Sequence, residues 1–267
     1  MRIQSPSSIK IYKQCPRKYY YTYIEELERP SNIHQVRGRI AHSVLEKFFD
    51  INAEKIELKD FETQLKIIIQ KLLLEEWTKN KEELNTLKLS EKEQIHYFED
   101  TMMMLLKWTE QFCQKIKQKK GSFQERFTKL TPIREQLYES ESYKARGYID
   151  AIEKDENGTI RIMDYKTNGK IDINDHILQL SIYALLYYEK HKKLPEYVGI
   201  YFLRKGEEII EVNMDMLEKA KEEIRKIHEN TKTNNKKDYP KKPGPLCKWS
   251  TGQCEFYDIC KPFEKED

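Results

Sequence analysis

The stretch Tyr143 to Thr167, YKARGYIDAIEKDENGTIRIMDYKT, constrains the fold more than any other. Two runs of β-branched and aromatic residues flank DENG, and Asn157-Gly158 is the residue pair that most readily takes the positive φ angles of a tight hairpin. Upstream, PIREQLYES is a third β-type run, so a meander of three strands is expected. Asp164 and Lys166 lie two apart on the last of these strands and therefore project from one face.

Helical text surrounds the meander. SPSS at Ser5 to Ser8 is a helix start, and Cys15-Pro16 should break that helix. In VRGRIAHSVLEKFFD, Ile40, Val44 and Phe48 recur every four residues as one apolar stripe, while His42 and Glu46 share a second face. From Glu57 to about Gln118 the sequence is rich in Lys, Glu and Leu, with few breakers. HILQLSIYALLYYEKHKK returns to helical periodicity, EYVGIYFLRKGEEIIEV forms a second hairpin with Gly206 in its turn, and Asp215 to about His228 is a last helix. The 267 residues fit one large core with an insertion. With 35% charged residues but 17 Tyr, 10 Phe and 3 Trp, the composition is that of a folded soluble protein, and the net charge of +3 gives only weak support for a polyanion partner. No run approaches the ~18 apolar residues of a membrane span and the start lacks a signal-peptide core, so an intracellular protein of cytoplasm or nucleoid is expected.

A carboxylate able to hold a divalent cation, with an ammonium beside it, suits phosphodiester hydrolysis. Asp164 and Lys166 alone could equally be a solvated strand end. Asp150 in RGYID, His42 in GRIAHSVLE, and Gln179 with Tyr183 on one face of QLSIY extend the pattern. In this order, Gly38 to Glu46, Gly147 to Asp150, Asp164-Tyr165-Lys166 and Gln179 to Tyr183 resemble the RecB-like branch of the PD-(D/E)XK nuclease superfamily, over about Ser5 to Cys260.

The resemblance implies an α/β fold, a mixed central sheet flanked by helices, with a helical insertion at about 51–120, a catalytic sheet core at 121–215 and a Cys-rich clasp at 243–262. It implies that His42, Asp150, Asp164 and the Tyr165 carbonyl bind Mg²⁺ or Mn²⁺ and that Lys166 assists the nucleophilic water. Glu135 would hold a second ion or orient water. Gln179 and Tyr183 would contact DNA or brace the lysine, and Glu46 would support His42. An ideal two-residue turn at Asn157-Gly158 would set Asp150 opposite Tyr165 and leave Asp164 on the other face. The family's site therefore requires a one-residue offset between the two acids.

Five cysteines in a reducing compartment argue against a disulfide framework. Cys247, Cys254 and Cys260 crowd the tail, and Cys15 can supply a fourth ligand. The likeness to nucleases with one early and three late cysteines implies a [4Fe–4S] cluster that joins two segments too polar to dock alone. Structural zinc and free thiols are the alternatives, and Cys113 reads as a core residue. Arg17, Lys18, Tyr19 and Tyr20 set cations beside aromatic faces, and Lys236, Lys237, Lys241, Lys242 and Lys248 form a basic stretch, a combination suited to single-stranded DNA. A packed tyrosine cluster and a solvated linker are the plainer readings. The expected activity is a Mg²⁺/Mn²⁺-dependent exonuclease on single-stranded DNA in repair, recombination or replication. A CRISPR-adaptation or structure-specific endonuclease, and a non-catalytic DNA-binding subunit of a helicase–nuclease complex, are the rivals. No GxxxxGK[ST] loop occurs, so any helicase motor would be a partner.

Overall fold

In the computed structural model of the protein, residues 2–167, 172–250 and 252–264 are described. Helix α1 (Pro6–Gln14) is capped by Ser5, whose side chain accepts from the Ser8 amide while the Ser8 hydroxyl accepts from the Ser5 amide. Pro16 cannot continue that helix, so the chain turns extended at Cys15 and restarts as α2 (Pro16–Tyr23). The longer α3 (Ile33–Phe48) follows, and its buried Val36, Ile40, Val44 and Phe48 are the predicted stripe. Helices α4 (Phe61–Lys79), α5 (Lys81–Thr86), α6 (Glu91–Gln118) and α7 (Phe123–Leu130) fill the helical region.

Five strands then build one mixed sheet in the order β1-β2-β3-β4-β5: β1 (Ile133–Ser140), β2 (Ala145–Lys154), β3 (Ile160–Lys166), β4 (Tyr197–Phe202) and β5 (Gly206–Glu211). All neighbours are antiparallel except β3 and β4, which run parallel across the crossover helix α8 (Ile177–His191). Helix α9 (Met214–Asn230), a two-stranded ribbon β6–β7 (Lys248–Trp249 and Gly252–Gln253) and a short α10 (Tyr257–Cys260) complete the chain.

The sheet separates two apolar layers. Ile149, Ile162, Val198 and Ile200 pack with α8, α9 and the aromatic residues of α2. Ala151, Met163, Tyr165 and Tyr201 pack on the other side, against α3, α4, α6 and α7. Phe48 is fully buried there, edge-on to Trp108 and Phe112. Phe48→Ala would remove this whole contact at a cost of about 3–5 kcal/mol.

Two departures from regular pairing shape the sheet. At the β2–β3 turn, the Asp155 carboxylate accepts from the amides of Asn157 and Thr159, and Gly158 takes φ +82°. The loop therefore has three residues instead of two, with the glycine in the left-handed bulge position. Ala151 pairs with Met163 and Ile152 with Ile162, a register one residue away from that of a two-residue turn, and the ladder ends before it reaches Asp150 and Asp164. The second departure lies between β1 and β2. Arg134 pairs with Ala151 and Gln136 with Ile149, but Glu135 drops out of the ladder with φ +46°. Arg134 lies over the Phe49 ring on the α3 side, whereas Gln136 is paired with Ile149 of the α8 side. Both strands thus carry one extra residue, and the alternation of faces slips there.

Candidate active site

The slip at Glu135 and Asp150 turns both carboxylates toward α3. His42 Nδ1 lies 3.4 Å from Asp150 Oδ2 and 3.7 Å from Glu135 Oε1. The three side chains gather their ligand atoms within 4.8 Å of one another. His42 Nε2 lies 3.0 Å from the Tyr165 carbonyl oxygen and donates to it, which fixes the ring. Asp150 Oδ2 accepts from the Tyr165 amide at 2.7 Å, so a side chain replaces the ladder acceptor where β2 parts from β3.

Asp164 approaches from the opposite layer and is buried. Its Oδ1 accepts from Gln179 Nε2 at 2.7 Å, and its Oδ2 lies 2.6 Å from Lys166 Nζ. The same Gln179 nitrogen donates to the Tyr183 hydroxyl at 2.9 Å. Tyr183 is itself seated against Gly147, where a Cβ would come within 2.8 Å of the ring, which is why RGYID has glycine at that position.

The electrostatics are those of a cation site. Burial alone would lower the His42 pKa, but the hydrogen bonds and charges of Asp150 and Glu135 outweigh it and push it up to about 10. Burial, then the charge of Asp150, raises Asp164. For Lys166 burial works downward, but the adjoining Asp164 wins and the ammonium is retained.

The structure therefore brings together His42, Glu135, Asp150, Asp164, Lys166 and the Tyr165 carbonyl. It corrects several expectations. Gln179 donates to Asp164, the partner of Lys166, and Tyr183 accepts from Gln179, so the pair acts first on the acid. Glu46 is exposed, and its carbonyl accepts from Arg134, so it does not support His42. Arg17, Tyr19 and Tyr20 are core residues: the Arg17 guanidinium donates to the Tyr239 carbonyl at 2.7 Å, and Tyr19 stacks on Tyr239. Lys18 is paired with Glu255 at 2.9 Å. None of these four presents a DNA-binding surface. Lys236 and Lys248 lie over tyrosine rings, while Lys241 and Lys242 donate to carbonyls of the chain itself. What sequence reasoning lacked was the paired extra residue at Glu135 and Asp150, since positive φ at a glutamate leaves no mark in composition.

Cys15, Cys247, Cys254 and Cys260 line one small cavity beside Tyr21 and Phe256. Burial pushes the Cys254 thiol up to about 11 and raises Cys260. No three of these sulfurs fall within the 4.8 Å that gathers the His42 cluster. Cys113 is apart, buried against α3 and α4. The terminal segments are not too polar to dock, because Tyr19, Tyr20, Tyr21, Tyr239 and Phe256 bury aromatic surface between them. No helix of the described residues is long and apolar enough to cross a membrane.

Comparison with known proteins agrees with this architecture. One solved structure, from Eubacterium rectale and described as a "putative exonuclease", is similar in fold, with a TM-score of 0.51 and 11% identity over 100% of this chain and 90% of that one. No curated protein matches the sequence significantly. The sequence profile of the PD-(D/E)XK nuclease superfamily matches residues 4–261. With nearly the whole length matched, and with the mixed sheet carrying its acids and lysine where β2 parts from β3, the chain belongs to the PD-(D/E)XK nuclease superfamily.

Proposed function

We propose that the protein is a metal-dependent deoxyribonuclease that hydrolyses single-stranded DNA from its ends, in repair, recombination or replication. The observation that carries this reading is the convergence of His42, Glu135 and Asp150 beside the buried Asp164–Lys166 pair. The donor set fits a hard divalent ion: carboxylates, one carbonyl and one imidazole suit Mg²⁺ or Mn²⁺, and the surplus negative charge is already strong enough to draw a proton onto His42. His42, Asp150, Asp164 and the Tyr165 carbonyl would hold the ion, with Glu135 at its edge. A cation bound there supplies Lewis acidity, polarising the phosphodiester and acidifying water.

The chain's own groups do the rest. Gln179, fixed by Tyr183, holds Asp164 in one rotamer. Lys166 stays charged and offers donors to the attacking water and to the negative charge that grows on the phosphate. The Tyr165 amide, donating to Asp150, ties that acid to the strand that carries Asp164 and Lys166. On this reading residues 51–120 form the insertion, 121–215 the catalytic core, and 243–262 with Cys15 the clasp. End-labelled single- and double-stranded DNA with Mg²⁺ or Mn²⁺ tests it: progressive shortening of the single strand, stopped reversibly by EDTA, is expected. Activity that survives exhaustive chelation overturns the mechanism.

We read the four cysteines as ligands of a [4Fe–4S] cluster, structural zinc being the alternative. Four sulfurs around one zinc would sit within ~4 Å of each other, given Zn–S bonds of about 2.3 Å. The one cavity that all four thiols line supports a common centre. Anaerobically purified protein is then brown, absorbs near ~400 nm and carries about four irons. Zinc alone on metal analysis replaces the cluster with a zinc site.

A further inference from the structure

Beyond the extra residues at Glu135 and Asp150, strands β1 and β2 continue past the site, and the slip decides which side chains share its face. Gly147 and Ile149 face α8, since a Cβ on Gly147 would meet Tyr183 and Leu186, and Ile149 is buried in that layer. Asp150, Tyr148 and Arg146 therefore point the other way, toward the side from which His42 approaches. Leu137 pairs with Tyr148, and Glu139 pairs with Arg146. This row is open: Tyr148 is 57% exposed, Leu137 38%, and the Arg146 side chain 53%. The ion pair of Arg146 with Glu139 is loose at 3.9 Å.

We propose that Tyr148 and Arg146 form the track along which a single-stranded polynucleotide leaves the metal site. The row starts at Asp150, in the His42 cluster, and continues with an aromatic face and then a cation. Its members are spaced about 6.6 Å apart, two residues of strand rise, close to the repeat of an extended single strand. Stacking on an aromatic ring accepts any base, and the guanidinium meets the next phosphate, which is how single strands are held without sequence readout. A duplex presents no free base faces to Tyr148, so the row discriminates against it. The buried tyrosines of α2 cannot serve this purpose, whereas the exposed ring of Tyr148 lies two residues from Asp150 on β2. Leu137 widens that platform on the neighbouring strand.

This inference rests on the nuclease reading for its direction, but its test does not. Binding of fluorescently labelled oligo(dT) to the intact protein is measured in EDTA, where no cleavage occurs. Tyr148→Ala should weaken binding roughly ten-fold, and Tyr148→Phe should restore it, because stacking needs the ring alone. Arg146→Ala should reduce the slope of log affinity against log salt by about 0.7, the value for one phosphate contact on a single strand. Blunt duplex affinity should change far less. With Mg²⁺, the Tyr148→Ala enzyme should show a raised KM on oligonucleotides at unchanged kcat, and unchanged turnover of bis(p-nitrophenyl) phosphate, which occupies the metal site alone. Unaltered oligo(dT) affinity in both alanine variants overturns the track while leaving the nuclease reading intact. An equal loss on blunt duplex overturns the single-strand assignment. If the wild type cleaves neither substrate, yet its oligo(dT) binding depends on Tyr148, the nuclease reading falls and the track stands.

Discussion

At the scale of single residues, the site is a balance between buried acids and the cations set against them. Asp164→Ala and Lys166→Ala should each lower cleavage at least ~10²-fold, as expected for loss of a group that stabilises the transition state, while leaving oligonucleotide binding in EDTA near normal. Near wild-type turnover in either variant would sink the assignment. His176 gives a separate readout through folding. It is buried, and burial followed by the charge of Lys166 holds its pKa below the ordinary histidine value. A depressed histidine pKa means that the unfolded chain binds more protons, so stability falls as pH drops below about 6.5. His42 has the opposite sign: its raised value adds stability that is complete below about 6.5 and lost as pH climbs toward 10, so it does not shape the acid side. Denaturation midpoints between pH 7 and 5.5 should decline in the wild type, and the decline should flatten in His176→Gln. An unchanged profile in that variant would refute the assignment to His176.

At the scale of elements, the extra residues in β1 and β2 shape the site and cost stability. Glu135 holds a left-handed backbone that disfavours any side chain by about 1 kcal/mol or more. Glu135→Gly should therefore keep or gain about 1 kcal/mol in urea denaturation, yet bind Mn²⁺ more weakly in titration calorimetry. A net loss of stability would show that the backbone is unstrained there. Gly147→Ala should do the reverse of a harmless change, forcing Tyr183 away and costing about 1–3 kcal/mol, because the ring is buried and cannot swing free. These features also mark the limit of what the sequence discloses. The strands, the break at Pro16 and the α3 stripe follow from local preferences and from the spacing of apolar residues, whereas the one-residue offset in the β2–β3 register is expected only from the likeness to the family, since the turn residues alone point to a two-residue hairpin. The paired extra residue follows from neither, since it depends on two strands leaving their pairing at the same place. Burial of the α2 tyrosines is one of two readings the sequence leaves open, for Arg17 and Lys18 beside them look like surface residues until Tyr239 and Glu255 are placed as their partners.

At the scale of the whole molecule, residues far apart in sequence are knitted together around α2. The buried Arg17 donates to the Tyr239 carbonyl, Lys18 pairs with Glu255, Tyr21 packs on Phe256, and Cys15 shares a cavity with three late cysteines. Arg17→Ala would strand that carbonyl in the core and should cost about 2–3 kcal/mol by denaturant unfolding. If the four thiolates hold a metal centre, Cys15→Ala should lose metal and stability as fully as Cys254→Ala, whereas Cys113→Ala should keep its metal. Loss of metal in Cys113→Ala alone would overturn the ligand set. Arg17 and Tyr239 are 222 positions apart. At ~5–20 residues per second, a ribosome needs about 10–45 s to supply the partner. During that interval the tyrosine face of α2 is exposed on the nascent chain, which makes it a client for a chaperone that binds early and lets go late.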